Sequence, residues 1–297
     1  MPLDQQRLRS ALGQLGQTEQ AALIEQLQAR HFSGCLTPAT RPAIELAPQL
    51  VALAAQFAIA PLSGFQVGAV AVGASGRLFL GANLEFAAAP LSASLHAEQS
   101  ALLNAWMHGE RAIHTLAISA APCGHCRQFL SELSNAATLT IYVEQTRTTL
   151  ENLYPMPFGA PRPAGHGLLD SPATKLGHVH PLRGESAQRA FNAAQQSYVP
   201  YTGATEGFAI TCADGHSYSG RAAESSAFNP SIPAAISALN QRNLSSSRGA
   251  PIIACCHATS ATEQHSNREL SASLLRHLSD APIQSVPLEA RQMGLPE

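Results

Sequence analysis

Two short segments of this sequence combine residue types that can hold a metal ion and move protons. His96 and Glu98 are separated by one residue, and Cys123 and Cys126 form a C-x-x-C directly after a proline. One imidazole and two thiolates give zinc three protein ligands and leave a fourth position open for water, as in hydrolytic zinc sites. Zinc held in this way lowers the pKa of its bound water to about 7. The pattern therefore predicts a hydrolytic zinc centre with His96, Cys123 and Cys126 as ligands.

Glu98 is the candidate for proton transfer at this centre. It follows the histidine ligand by two positions and lies in the first turn of a predicted helix. A carboxylate placed there can take a proton from water and deliver it to a reacting nitrogen. In isolation, a first-turn glutamate is explained as well by its favourable interaction with the helix dipole. The surrounding pattern favours the catalytic interpretation.

The cysteine pair has two other interpretations, a structural zinc site and a redox-active pair. A structural zinc site needs a fourth Cys or His ligand. The nearby candidate, His125, lies between the two cysteines, and on a helix its side chain points elsewhere than theirs. A redox pair leaves His96 and Glu98 without a role. The catalytic zinc site explains all four residues.

The elements around these residues alternate between strands and helices. Apolar positions at helical spacing predict helices within residues 4–30 and 42–57. A β-hairpin is predicted around the Ser75-Gly76 turn. Each metal-binding segment opens a predicted helix, and strands precede and follow these helices. The alternation predicts an α/β protein in which a mixed sheet lies in a three-layer α/β/α arrangement.

The second half of the chain repeats the first at an offset of 139 positions. Glycines are informative markers because turns and close backbone approaches require them. The matched pairs are Pro61 with Pro200, Gly68 with Gly207, Gly76 with Gly215, Gly81 with Gly220, and Glu85 with Glu224. After a two-residue deletion, His96-Ala97-Glu98 falls opposite Pro233-Ala234-Ala235, and no C-x-x-C follows residue 126. We therefore expect tandem duplicated domains with one zinc ion per chain.

This organisation predicts four segments along the chain. We expect a helical N-terminal segment at 1–41, a catalytic zinc domain at 42–162, a linker at 163–179, and a degenerate non-catalytic domain at 180–297. The four prolines between positions 154 and 163 indicate a connector between the two repeats.

The composition excludes several classes of protein. Charged residues are 13% of the chain and the net charge is −2, so no basic field is present to attract RNA or DNA. No apolar run approaches the roughly 18 residues of a membrane span. The first residues lack the apolar core of a secretory signal. We therefore expect a cytoplasmic protein that acts on neither nucleic acid nor membrane.

The motifs match those of a known enzyme family. H-x-E followed by P-C-x-x-C is the signature of zinc-dependent deaminases. The segments GANLEF, HAEQSA and PCGHCRQF resemble, in that order, the bacterial cytidine deaminases of the homodimeric, two-domain type. The resemblance covers essentially the whole chain. It implies the cytidine deaminase fold, a homodimer, and zinc-dependent hydrolytic deamination of cytidine and 2′-deoxycytidine to the uridine nucleosides in pyrimidine salvage.

The resemblance also implies which residues bind the nucleoside. In the family, the segment beginning at the residue that matches Asn83 holds the ribose, chiefly its 3′-hydroxyl. The residue matching Phe65 lines the base pocket, and the one matching Phe158 reaches into the neighbouring subunit's active site. Without the resemblance, Phe65 is more simply a core residue and the polar pair around Leu84 marks a strand edge. The substrate-binding residues implied are Asn83, Leu84, Glu85, Phe65, Ala97 and Phe158.

Other hypotheses differ in the substrate or in the presence of activity. A polynucleotide deaminase needs a basic surface and stacking aromatic residues, whereas aromatic residues are 5% of this chain. A nucleoside monophosphate needs a basic cluster near the motifs, and none is found there. An inactive zinc module describes the second repeat but not the first. Cys255-Cys256-His257 is better explained by buried thiols than by a metal site.

Overall fold

The computed structural model describes residues 5–144, 146–159, 165–260 and 266–290. The predicted connector lies partly outside these residues. The chain divides into two compact units: the first contains Met1–Asp170, Ser225–Ser231 and Asn240–Gly249, and the second contains Ser171–Glu224, Ile232–Leu239 and Ala250–Glu297. Within the described ranges, no helix is both long enough and apolar enough to cross a bilayer.

The first unit is built on a mixed sheet. Its described strands are β1 (Cys35–Leu36), β2 (Gly68–Gly73), β3 (Leu78–Ala82), β4 (Ile113–Ile118), β5 (Thr140–Val143) and β6 (Thr146–Thr149). They are ordered β1-β3-β2-β4-β5-β6. β4 and β5 are parallel, and the other neighbours are antiparallel. The predicted hairpin is confirmed, and Gly76 turns the chain between β2 and β3 with a φ of 80°.

Helices of the first unit are shorter than the apolar periodicity predicts near the N-terminus. They are α1 (Gln5–Leu12), α2 (Gln17–Gln28), α3 (Ala43–Leu46), α4 (Val51–Ala55), α5 (Ala97–Met107), α6 (Gly124–Leu130) and α7 (Leu150–Leu153). Gly13 and Gly16 separate α1 from α2, because glycine disfavours the helix interior. A 3-10 turn at Ala47–Leu50 that contains Pro48 separates α3 from α4, since proline lacks a backbone donor.

Helices cover both faces of this sheet, which is the predicted three-layer arrangement. A Cβ on Gly68 of β2 would lie 2.1 Å from the Val51 carbonyl oxygen, against α4. A Cβ on Gly81 of β3 would lie 2.2 Å from the Ala101 nitrogen, in α5. Gly68 is paired with Ala82 rather than with Gly81, so the two glycines face opposite sides. The close approach explains why both positions are glycine.

The second unit repeats this arrangement. Its described elements are β7 (Leu176–His178), α8 (Glu185–Gln195), β8 (Glu206–Cys212), β9 (Ser217–Arg221), the start of α9 (Ala234–Asn243), β10 (Ile252–Thr259), α10 (Arg268–Arg276) and β11 (Ile283–Ala290). The strand order is β7-β11-β10-β8-β9, so β9, β8, β10 and β11 correspond to β3, β2, β4 and β5. Gly207 approaches α8 and Gly220 approaches α9, as their counterparts do in the first unit.

The two glutamates of the repeat make equivalent contacts. Glu85 accepts hydrogen bonds from the backbone of Leu62 and Ser63, and Glu224 accepts them from Tyr201 and Thr202. These donors also differ by 139 positions. The predicted duplication is therefore present in the side-chain contacts as well as in the strand order.

The Cys255-Cys256-His257 segment lies within β10. Both thiols are buried, as predicted. The imidazole Nε2 of His257 lies 3.0 Å from the carboxylate of Glu206. This buried polar pair gives His257 a role in the packing of the second unit.

Candidate active site

The starts of two helices bring the predicted metal ligands together. His96 is the residue that precedes α5, and Cys123 is the residue that precedes α6. Cys126 follows in the first turn of α6. One ligand atom from each of the three residues lies within 4.8 Å of the others, and this is the single such group of metal-ligating side chains among the described residues.

The spacing of these atoms fits a zinc ion. Nδ1 of His96 lies 3.5 Å from Sγ of Cys123 and 3.3 Å from Sγ of Cys126. Tetrahedral zinc with ordinary Zn–N and Zn–S bonds places nitrogen and sulfur about 3.6 Å apart. The donor set and its spacing therefore suit zinc, with Nδ1 as the histidine ligand. His125 is not in the group.

The two cysteines differ in their electrostatics. The pKa of Cys123 is lowered to about 3 because Cys126, and then His96, form hydrogen bonds with its sulfur. The pKa of Cys126 is raised by its hydrogen bond with Cys123 and by burial. Zinc binds cysteines as thiolates, so metal binding favours the deprotonated form of both residues.

Glu98 lies in the first turn of α5 beside this cluster. Its side chain is 5% exposed, and burial raises the pKa of its carboxyl group. Interactions with His96, Cys123 and Cys126 also contribute to that pKa. A raised pKa makes a carboxyl group a better proton acceptor that can still return the proton, which acid–base catalysis requires.

A cleft of about 370 Å³ opens beside the cluster. It is lined by His96, Glu98 and Cys123 together with four of the predicted substrate residues, namely Asn83, Glu85, Phe65 and Ala97. Phe65 is 61% exposed, so the core interpretation of this residue is wrong. Leu84 lies between Asn83 and Glu85 and does not line the cleft, because successive side chains of an extended segment point to opposite sides. Its side chain is buried, and its backbone pairs with that of Leu95.

The polar residues of the cleft hold the segment that carries Phe65. The amide of Asn83 accepts a hydrogen bond from the Val67 nitrogen and donates one to the Phe65 oxygen. Burial raises the pKa of Glu85, but the hydrogen bonds from Ser63 and Leu62 outweigh it, and that pKa lies below its ordinary value. Glu85 is therefore ionised and able to accept further hydrogen bonds.

The ring of Phe158 is exposed to solvent, whereas its backbone is fixed by hydrogen bonds. Its side chain is 63% exposed, and it is not among the residues lining the cleft. The Phe158 carbonyl oxygen accepts hydrogen bonds from Gln128 Nε2 at 2.8 Å and from Ser226 Oγ at 3.1 Å. The Tyr154 hydroxyl donates to Gln128 at 2.7 Å. The helix that contains Cys126 thus anchors the segment that carries Phe158.

Arg127 has a role that the sequence does not reveal. Its position after a ligand suggests a hydrogen bond to sulfur or an exposed helix charge. Instead, Nε donates to the Pro122 oxygen at 2.8 Å and Nη1 donates to the Leu153 oxygen at 2.9 Å. Arg127 therefore fixes the residue before Cys123. Neither acceptor is identifiable from sequence, since both are backbone atoms brought close by folding.

Comparison with known proteins places these features in a family. The profiles described as "Cytidine and deoxycytidylate deaminase zinc-binding region" match residues 43–142 and 164–266. The chain is 39% identical to a cytidine deaminase of Serratia proteamaculans over 80% of its length and 84% of that protein. It is 36% identical to one from Photobacterium profundum over 94% of its length and 90% of that protein. A crystal structure of cytidine deaminase from Burkholderia pseudomallei is 31% identical, with 38% of this chain and 98% of that chain covered and a TM-score of 0.35.

Proposed function

The chain belongs to the cytidine and deoxycytidylate deaminase family, and we propose that it hydrolyses cytidine and 2′-deoxycytidine to uridine and 2′-deoxyuridine with release of ammonia. The observation that carries this function is the meeting of three zinc ligands and one buried carboxyl group at a single cleft. His96, Cys123 and Cys126 hold the metal, and Glu98 is the acid–base residue.

The proposed mechanism follows from the position of Glu98. When bound, zinc supplies Lewis-acid activation of a water molecule for attack on C4 of the pyrimidine. The Glu98 carboxylate takes a proton from that water and delivers it to ring N3. It then transfers the second water proton to the amino group, which leaves as ammonia. The oxygen of the water becomes the C4 carbonyl oxygen of the product.

We propose that the cleft recognises the sugar through Asn83 and Glu85. An ionised carboxylate offers about four acceptor positions, and Glu85 receives hydrogen bonds from Leu62 N, Ser63 N and Ser63 Oγ. This leaves capacity for one ribose hydroxyl. Phe65 and Ala97 form the adjoining apolar wall, and Leu84 contributes to the segment through its backbone.

This sugar assignment predicts a selective loss with nucleosides that lack the 3′-hydroxyl. An unsatisfied buried polar group costs about 1–3 kcal/mol, which is a loss of about 5- to 150-fold in kcat/KM. We expect 3′-deoxycytidine to lose this amount and free cytosine to lose more. The matched control is 2′-deoxycytidine, which lacks a different hydroxyl and should be turned over like cytidine. Equal kcat/KM for cytosine and cytidine would refute the assignment.

We further propose a homodimer in which Phe158 completes the partner's site. Three facts support it: the exposed ring of Phe158, its anchored backbone, and the neighbouring exposed side chain of Met156. In this proposal the domains keep the boundaries given by the sequence, with the second repeat free of zinc. Cytoplasmic location and a role in pyrimidine salvage remain predictions from the sequence.

Subunit mixing tests the role of Phe158. Phe158→Ala should raise KM for cytidine by about 5- to 150-fold, because base–aromatic stacking is worth about 1–3 kcal/mol. Its zinc content should be unchanged. A hybrid with a Glu98→Ala chain contains one complete site, since the chain with Glu98 receives Phe158 from its partner. Activity should therefore exceed the sum of the parents after exchange. A fully active monomer, or no gain despite proven exchange, contradicts the proposal.

A further inference from the structure

A short segment of the second sequence repeat is part of the unit that holds the metal centre. Residues 225–231 lie in the first compact unit, although the flanking residues 171–224 and 232–239 lie in the second. The segment contributes no predicted zinc ligand and no residue that lines the cleft. Its side-chain and backbone contacts include residues of the two helices that carry the ligands.

Gln99 connects this segment to α5. Its side chain is 2% exposed. Oε1 accepts a hydrogen bond from the backbone nitrogen of His96 at 3.2 Å, and Nε2 donates to the carbonyl oxygen of Pro230 at 3.1 Å. One amide thus joins a ligand residue to the segment. Because the amide is buried, both of these hydrogen bonds lack competition from bulk water.

The same segment holds α6 at several points. Gln128 Nε2 of α6 donates to Ser226 Oγ at 3.1 Å, and the Ser226 nitrogen donates to Glu132, two residues after the end of α6, at 2.8 Å. The ring of His125, between the two ligand cysteines, lies near the backbone of Asn229, which contributes to the pKa of His125. Both ligand helices are therefore attached to one stretch of seven residues.

The backbone of this segment is strained, which indicates that its shape is imposed by its contacts. Phe228 has a φ of 60°, and a bulky residue rarely adopts the left-handed region. Residues held in such conformations persist where the surrounding structure determines them, and they concentrate at functional sites.

We propose that residues 225–231 are a brace for the zinc centre and that Gln99 is the positioning residue through which the brace acts on His96. The inference rests on the proposed function, which supplies the zinc centre. It gives the second repeat a catalytic purpose despite its lost ligands: it supplies the segment against which the two ligand helices are aligned.

The test compares two substitutions at neighbouring buried positions of α5. Gln99→Met keeps the side-chain volume and removes both hydrogen bonds. Ser100→Ala is the matched control. Its hydroxyl donates to Asn240 at 2.6 Å and accepts a hydrogen bond from the Ala82 nitrogen at 3.1 Å, so it ties α5 to two other segments of the same unit without contacting a ligand residue. Both variants should unfold at lower temperature than the wild type.

The zinc affinity of the two variants shows whether Gln99 positions a metal ligand or only stabilises the fold. We expect Gln99→Met to bind zinc about 10- to 100-fold more weakly in competition with a chelator, the usual effect of losing a group that orients a ligand. Its cobalt-substituted form should show altered d–d absorption bands. Ser100→Ala should bind zinc within about twofold of the wild type and keep the cobalt spectrum.

A second variant tests the brace independently, in case Gln99→Met does not fold. Ser226→Ala removes one contact of the brace with α6 and should weaken zinc binding in the same direction. If either variant folds and binds zinc as the wild type does, with an unchanged cobalt spectrum, the brace is refuted. If the wild type itself binds no zinc or leaves cytidine unchanged, the proposed function is wrong. That result is distinguishable from refutation of the brace, in which the wild type is active and the variants bind zinc normally.

Discussion

Glu98→Gln should bind zinc normally and lose nearly all turnover of cytidine. The amide preserves the size of the side chain but cannot accept a proton from water. Loss of one acid–base group costs about 10²- to 10⁴-fold in rate. We expect the upper end of this range because one carboxyl group performs the transfers from water, to N3 and to the leaving amine. Because Glu98 is not a ligand, its replacement leaves the metal in place.

Steady-state kinetics and metal analysis of the same preparation test this prediction. Glu110→Gln is the matched control. Glu110 is also 5% exposed, and its carboxylate accepts a hydrogen bond from Ser75 outside the cleft. This control should keep kcat/KM within a few-fold of the wild type. Substantial turnover by Glu98→Gln with normal zinc would show that another group moves the protons.

Cys123→Ala should lose the zinc and the activity together. With one thiolate removed, the site retains one imidazole and one thiolate, which is one protein ligand short of a catalytic zinc site. Turnover should fall to the background of the assay. Cys35→Ala is the control, since Cys35 is a half-buried thiol outside the ligand group. Full zinc content in purified Cys123→Ala would mean that the ligand assignment is wrong.

The strands and helices that carry the site can be predicted from the local sequence pattern. The strand-like runs on either side of the Ser75-Gly76 turn predict the hairpin of β2 and β3, and the segment that begins at Cys123 is predicted to be helical. The repeat is also visible, because Gly68 and Gly81 each meet a helix backbone too closely for a side chain. The hairpin and the helix depend on residues that are near one another in sequence. The close approach of a helix to a strand requires glycine, so it too can be recognised in the sequence.

Contacts between distant parts of the chain could not be predicted in this way. The edge strand at Cys35–Leu36 pairs with β3, and neither its length nor its composition marks it as a strand. The carbonyl oxygen of Pro230 accepts a hydrogen bond from Gln99, 131 positions away in sequence. Because every residue has a backbone carbonyl, the residue type does not reveal such an acceptor. Residue type alone predicts that Phe65 is buried, since hydrophobicity favours burial, and only the family resemblance indicated a place for it in the base pocket.

Titration of the metal-free protein with zinc, followed by measurement of cytidine turnover at each point, shows directly whether one zinc ion per chain supports the reaction. Activity should be absent without metal, rise in proportion to added zinc, and stop rising at one zinc ion per chain, because only the first repeat has the three ligands among the described residues. Full activity without metal, a plateau at two tightly bound ions per chain, or no cytidine turnover at any zinc content would show that the chain does not use a single zinc centre to deaminate cytidine.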